Sequence, residues 1–191
     1  MNNYKLKKFH KNYINDLTES LNNIDFKNVD KACNLILKTI NLENNIFVCG
    51  NGGSAAIANH YVCDYLKYFR EKTKKKPRII SLSNSIETIT AISNDKDYKH
   101  IFSYQIESLY KKDDIIIIIS SSGNSKNIRE IVKFSKKNKL KTIGFSGFKG
   151  GYLKKNSTIP IHININNYGL VEDAHHILMH LLMQYLIKNN K

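Results

Sequence analysis

The stretch NIFVCGNGGSAAIANHYVCDYL, residues 45–66, carries the pattern that decides the fold. Its apolar run IFV at 46–48 is typical of a short buried strand. The glycine-rich segment GNGGS at 50–54 ends that strand, because glycine reaches backbone angles that other residues resist. Ser54 is a suitable N-cap for a following helix. A glycine turn at a helix start predicts either a phosphate site, through its free N–H groups, or a plain tight turn.

Composition narrows the range of partners. The 191 residues are enough for one domain with a sizeable core, and we predict a single domain over 1–191. The net charge of +14 comes from lysine clusters scattered along the chain, without the alternating aromatic residues of a stacking groove, so nucleic-acid binding is not favoured.

No apolar run is long enough for a membrane span, and the polar N-terminus lacks a secretory signal. We therefore expect a cytoplasmic protein with reduced cysteines.

The order of elements predicts an α/β fold. An N-terminal helical pair occupies 1–43, and an α/β core with a terminal helix occupies 44–191, where strands alternate with helices. This alternation predicts a parallel sheet covered on both faces, a three-layer α/β/α architecture. The run at 115–119 is five isoleucines without alternation, which indicates a central strand. We predict strands near 46–48, 77–82, 115–119, 142–145 and 158–163, and helices near 4–21, 26–42, 85–92, 98–109, 128–138 and 171–187.

A second polar loop follows the isoleucine strand. The segment SSSGNS at 120–125 places four serines around one glycine. Hydroxyl groups and backbone amides at a helix start can surround a phosphate without a metal ion. Ligands of parallel sheets bind beyond the carboxyl ends of the strands, where this loop and the one at 50–54 both lie. Together the loops predict a phosphorylated small molecule, and the absence of dinucleotide and P-loop spacing argues against a nucleotide cofactor.

These motifs resemble a known family. CGNGGSAA, ISSSGNS and SGFKGG are similar to the SIS (sugar isomerase) domain family, in particular its phosphoheptose isomerase branch. The resemblance implies a flavodoxin-like sheet and a homotetramer with sites at subunit interfaces. It implies isomerisation of sedoheptulose 7-phosphate to a heptose 7-phosphate through an enediol, for surface-carbohydrate synthesis. It assigns substrate and phosphate contacts to Asn51, Gly52, Gly53, Ser54, Asp95, Ser120, Ser121, Ser122, Ser125 and Glu172.

The resemblance also suggests the groups that transfer protons. His60 and Asp64 lie four residues apart, on one face of a predicted helix. The family usually has Glu where this chain has Asp64, and that residue and the histidine matching His180 act as acid and base. We therefore predict that Asp64 and His180 are catalytic. Asp is about 1.5 Å shorter than Glu, and a misplacement of about 1 Å can cost on the order of a hundredfold in rate.

Two alternatives remain open. His60, Asp64, Glu172 and His180 are side chains of the types that bind zinc, so the same groups form a candidate metal set. Glu172 replaces the usual Gln of the family and adds a negative charge. These departures are also compatible with an isomerase for another phosphosugar. The change to Asp64 also motivates an alternative, a phosphosugar-binding module without catalysis that acts as a sensor or a protein-interaction scaffold.

Overall fold

The computed structural model describes residues 3–190, so residues 1, 2 and 191 of the predicted domain lie outside the described part. The strands are β1 (Asn45–Gly50), β2 (Arg78–Ser81), β3 (Ile115–Ser120), β4 (Lys141–Ser146) and β5 (Ile159–His162). The helices are α1 (Asn3–Asn22), α2 (Phe26–Asn41), α3 (Gly53–Asp64), α4 (Arg70–Thr73), α5 (Ile86–Asp95), α6 (Ser103–Leu109), α7 (Lys126–Lys137), α8 (Gly151–Asn156) and α9 (Tyr168–Lys188). A π-helical segment (Tyr65–Phe69) joins α3 to α4, and a 3₁₀ turn (Tyr98–His100) precedes α6.

The strands form one parallel sheet in the order β2-β1-β3-β4-β5. This is the flavodoxin-like order. The isoleucines of β3 alternate between the two faces, with Ile115, Ile117 and Ile119 in one core and Ile116 and Ile118 in the other. The three-layer α/β/α architecture and the central position of this strand are confirmed.

Different helices cover the two faces. Residues of α2, α3 and α9 fill one core, and residues of α5, α6, α7 and α8 fill the other. The outer helix α1 lies against α9, where the Tyr13 hydroxyl donates a 2.6 Å hydrogen bond to Asp173. That hydrogen bond raises the pKa of Tyr13. Both leading helices therefore pack on the sheet or on its covering helix. Within residues 3–190, no helix combines the length and apolarity that a membrane crossing requires.

The predicted N-cap of the site helix is wrong. Helix α3 begins at Gly53, and its N-cap is Gly52, whose φ of 52° makes the turn out of β1 without a capping side chain. Ser54 therefore lies inside the first turn, where its side chain is buried. The glycine backbone replaces the cap that a serine hydroxyl usually provides, which leaves this serine available for another role.

Other boundaries also differ from the prediction. The helix predicted over 98–109 is interrupted: Asp97 caps the 3₁₀ turn by accepting from the Lys99 N–H, and α6 begins only at Ser103. The π segment carries the helix onward from Asp64, so the chain stays helical as far as Thr73. Helix α5 extends to Asp95, beyond the predicted end near 92. The short helix α8 was not predicted, since six residues give too little periodicity.

Candidate active site

The two predicted phosphate loops meet at one edge of the sheet. One follows β1 and the other follows β3, and these strands are neighbours that end at the same edge. Between the loops lies a cleft of about 120 Å³. It is lined by Asn51, Ser54, Ser120, Ser121, Ser122, Ser125, Tyr168 and Glu172. The cleft thus brings together seven of the ten positions predicted to contact substrate, with Tyr168 as an unpredicted eighth wall residue.

Ser121 has a buried and uncommitted hydroxyl. Its side chain is 5% exposed, and its Oγ has no hydrogen-bond partner among the described residues. The neighbouring hydroxyls are engaged in the loop itself: Ser120 Oγ accepts from the Gly123 N–H (3.2 Å), and Ser122 Oγ accepts from the Asn124 N–H (3.3 Å). An unsatisfied buried hydroxyl is costly, so Ser121 indicates that the cleft receives a polar ligand.

The loop after β4 holds the serine loop in place. The Gly147 N–H donates to the Ser121 carbonyl (2.8 Å), and the Leu153 N–H donates to the Gly123 carbonyl (3.0 Å). Gly123 has a φ of 65°, and a Cβ there would lie 2.2 Å from the Gly150 carbonyl oxygen. Only glycine fits this close approach. The SGFKGG motif therefore supports the serine loop by these contacts and does not itself line the cleft.

Glu172 reaches the cleft from α9. Its carboxylate lies against the first turn of α3, so close that a Cβ on Gly53 would be 2.3 Å from Glu172 Oε2. Gly52 therefore shapes the helix start, and Gly53 makes room for this carboxylate. Asp95 is exposed, accepts a hydrogen bond from Asn94 Nδ2 (2.9 Å), and does not line the cleft. Sequence reasoning missed Tyr98 and Asn127, which both hydrogen-bond to Asn51 and which no motif marks.

A second cluster lies further along α3 and α9. His60 Nε2 lies 3.1 Å from His180 Nε2, and Asp64 Oδ2 lies 3.4 Å from the former and 3.2 Å from the latter. The side chains of His60, Asp64 and His180 are 47%, 20% and 40% exposed. The structure thus brings together both predicted catalytic groups and three of the four predicted metal ligands. Glu172, the fourth, lines the serine cleft instead.

The geometry of this cluster fits a zinc ion. A tetrahedral site with bonds of about 2.0–2.1 Å has edges of about 3.3 Å between its ligand atoms. The three separations of 3.1, 3.2 and 3.4 Å among His60 Nε2, His180 Nε2 and Asp64 Oδ2 match one face of such a tetrahedron. Two imidazoles and one carboxylate are also ligand types that zinc prefers. The residues present therefore fit the zinc ion that their side-chain types predict.

Two further histidines of α9 differ in their surroundings. Burial lowers the pKa of His175 to about 4, and its ring packs edge-on against Phe145 with centroids 5.8 Å apart. His175 therefore stays neutral inside the core. His176 faces the cluster, with its ring centroid 4.8 Å from that of His60 and 4.7 Å from that of His180. The pKa of His176 is lowered, mainly because the ring is buried and to a lesser extent because His180 and His60 are close.

Comparison with known proteins agrees with this fold. The sequence matches the SIS domain over residues 10–147. The chain belongs to the SIS domain family, and within it to the phosphoheptose isomerases. Phosphoheptose isomerase from Helicobacter pylori (strain P12) is 31% identical over 173 residues, covering 91% of this chain and 88% of the relative. The enzyme from Trichlorobacter lovleyi is 36% identical over 147 residues, or 77% and 74% of the two chains.

Solved structures give the same relationship. A phosphoheptose isomerase from Francisella tularensis superposes with a TM-score of 0.88 at 26% identity, covering 98% of this chain and all of the other (100%). A phosphoheptose isomerase from Neisseria gonorrhoeae superposes with a TM-score of 0.82 at 26% identity, with 96% and 97% covered. The likeness thus extends over the leading helices and the terminal helix, beyond the matched domain.

Proposed function

We propose that the protein is a phosphosugar isomerase that interconverts sedoheptulose 7-phosphate and a heptose 7-phosphate. The observation that carries this proposal is the unpartnered, buried hydroxyl of Ser121 in a cleft walled by serines. A phosphate group supplies the acceptor oxygens that such hydroxyls lack. The cleft also lies at the N-terminus of α3, where the helix dipole favours an anion. The phosphate of the sugar therefore occupies the cleft.

The distance between cleft and cluster suits a long sugar. Ser54 and His60 are six residues apart on α3, or about 9 Å at 1.5 Å per residue. Eight bonds separate the phosphorus of an extended heptulose 7-phosphate from C1, about 9–10 Å at a projection of about 1.2 Å per bond. A seven-carbon sugar bound by its phosphate thus presents C1 and C2 near His60, Asp64 and His180.

Aldose–ketose isomerisation needs a base and an acid at adjacent carbons. Asp64 removes the proton from C1, and His180 protonates the carbonyl oxygen at C2, which gives the enediol. The protonated Asp64 then returns a proton to C2, and the neutral His180 takes the proton from the oxygen at C1, which gives the aldose and restores both groups for the next turnover. Asp64 Oδ2 and His180 Nε2 are 3.2 Å apart, so the two groups can act on adjacent carbons of one sugar. His60, in contact with both, orients the pair.

A zinc ion is the second proposed ligand of this cluster. His60, Asp64 and His180 would hold it, with a fourth side chain from α9. Such an ion would neutralise the Asp64 carboxylate and tie α3 to α9. Because Asp64 and His180 would be engaged as ligands, we expect metal binding and proton transfer to be alternative states of the same side chains.

The assembly and location extend the proposal. We propose a homotetramer, supported by the exposed apolar side chains of Leu6, Phe9 and Ile14 on the outer helix α1. Burial of such residues between subunits removes apolar area from water and stabilises association. We propose the cytoplasm as its location, where sugar phosphates are made and used. Light scattering coupled to size-exclusion chromatography measures the mass, and a mass of one chain at micromolar concentration would contradict the tetramer.

Incubation with sedoheptulose 7-phosphate tests the activity. We expect NMR of the sugar to show an aldoheptose 7-phosphate, and exchange of solvent deuterium into C2 as the enediol is reprotonated. The reaction is run after chelation and again with added zinc. Saturable binding of the sugar phosphate without any aldoheptose, in both conditions, would contradict the isomerase and leave a binding module.

A further inference from the structure

His176 belongs to none of the motifs that predicted the site. It lies one turn before His180 on α9, so both imidazoles project from the same face of that helix toward His60 on α3. The potential ligand atoms of the three histidines all lie within 4.8 Å of one another. His176 Nε2 is buried and has no hydrogen-bond partner among residues 3–190. This nitrogen is thus desolvated and uncommitted beside the other donors.

We infer that His176 is the fourth ligand of the metal site, which then consists of His60, Asp64, His176 and His180. The inference rests on the proposed metal binding and not on the proposed isomerisation. The set takes two residues from each helix, spaced four apart on both, so one ion would join two packed helices. Three imidazoles and one carboxylate form a complete tetrahedral set for zinc or cobalt, the kind of closed set that structural zinc sites use.

Glu172 is less well placed for this position. It is two helical turns from His180, about 12 Å along α9, whereas His176 is one turn away, about 6 Å. Its carboxylate lies against Gly53 at the start of α3 and lines the serine cleft. A Glu172 that coordinates the ion would have to leave the first turn of α3. His176 needs only a smaller shift, since its ring lies beside those of His60 and His180 and the ligand atoms of the three are within 4.8 Å of one another.

Binding of Co²⁺ by the full-length, chelator-stripped protein tests the inference. We expect the wild type to bind one Co²⁺ per chain with the intense visible bands of four-coordinate cobalt, and Zn²⁺ to displace it. His176→Gln should weaken the affinity for Co²⁺ by at least about 10–100-fold. Loss of a residue that only supports a metal ligand already has an effect of that size. The Co²⁺ spectrum of His176→Gln should also lose the intense visible bands of four-coordinate cobalt and show the weaker bands of a cobalt ion with more ligands. Glu172→Gln is the matched control on the same helix and should retain wild-type affinity and spectrum.

The outcomes separate the proposals. His176→Gln with wild-type cobalt affinity and spectrum would overturn the role of His176, and loss of affinity in Glu172→Gln alone would assign the position to Glu172. If the wild type binds Co²⁺ no better than His60→Gln does, the proposed metal site itself is wrong. Sugar isomerisation is measured in a separate assay, and its result does not depend on this one. Circular dichroism and metal-free melting of each variant show that the fold is retained. Zinc should raise the melting temperature of the wild type and of Glu172→Gln by similar amounts, and that of His176→Gln by less.

Discussion

The side chains of Asn51 and Asn127 bond to each other in both directions. Asn51 Nδ2 donates to Asn127 Oδ1 over 3.0 Å, and Asn127 Nδ2 donates to Asn51 Oδ1 over 2.7 Å. Asn51 belongs to the glycine loop after β1, and Asn127 lies in the first turn of α7, just after the serine loop. The Tyr98 hydroxyl also donates to Asn51 Oδ1. This reciprocal amide pair fixes the distance between the two loops that form the phosphate cleft.

Loss of the Asn127 side chain should therefore weaken substrate binding. Asn127→Ala leaves the Asn51 amide without its partner, and we expect a stability loss of about 1–2 kcal/mol and a roughly tenfold rise in KM because the loops are no longer held in register. Asn138→Ala is the control, since its side chain bonds to Tyr110 and to the Phe134 carbonyl on another part of α7. The control should lose similar stability in urea unfolding and keep its KM. An unchanged KM in Asn127→Ala would show that the pair does not position the loops.

Ser121→Ala should affect the free and bound protein in opposite directions. Removal of a buried, unpartnered hydroxyl relieves its desolvation, so the free energy of unfolding should stay constant or rise slightly. Binding of the sugar phosphate should weaken about 10–100-fold, the value of one hydrogen bond to a charged group. Calorimetry of phosphosugar binding and thermal melting measure the two effects. Unweakened binding would remove Ser121 from the phosphate site.

Glu172→Gln should strengthen phosphosugar binding. The carboxylate of Glu172 lines the cleft in which we place the phosphate, and like charges there repel. Loss of about 1 kcal/mol of repulsion corresponds to roughly fivefold tighter binding. The gain should shrink at high ionic strength, because salt screens the interaction. Titration at low and high salt measures it, and equal or weaker binding at low salt would contradict a phosphate beside Glu172.

Asp64→Asn should abolish most of the isomerisation. The amide has the size of the carboxylate but cannot accept a proton from the sugar, so kcat should fall about 100-fold or more. Phosphosugar affinity should change little, because Asp64 lies beyond the phosphate cleft. Asp30→Asn, on the exposed surface of α2, is the control and should keep full activity. A kcat within about twofold of the wild type would exclude Asp64 as the base.

The cysteines should differ in reactivity. Burial raises the pKa of Cys33 to about 11 and also raises that of Cys49, while Cys63 is exposed on α3. Because the thiolate is the reactive form, one thiol per chain should react rapidly with a disulfide reagent at pH 8, and all three after unfolding. Colorimetric titration counts them. Rapid reaction of two or three thiols in the folded protein would contradict the burial of Cys33 and Cys49.

Much of this architecture follows from local patterns. The isoleucine run of β3 predicted a strand buried on both faces, since alternate side chains point to opposite faces and all of them are apolar. The glycine and serine loops predicted the edge of the sheet where the cleft lies, because parallel strands end together. The pairs at positions 60 and 64 and at 176 and 180 could be placed on helix faces by their spacing of four.

The sequence by itself thus determined the layers, the sheet and the two loops, because these depend on periodicity and turn chemistry along the chain. Tertiary structure alone decided how the pieces meet. Only the packing of α3 against α9 brings His60 within 3.1 Å of His180, turns His176 toward them and places Glu172 at the start of α3. No local pattern records such contacts, because they join residues more than a hundred positions apart and depend on the angle and register of two packed helices.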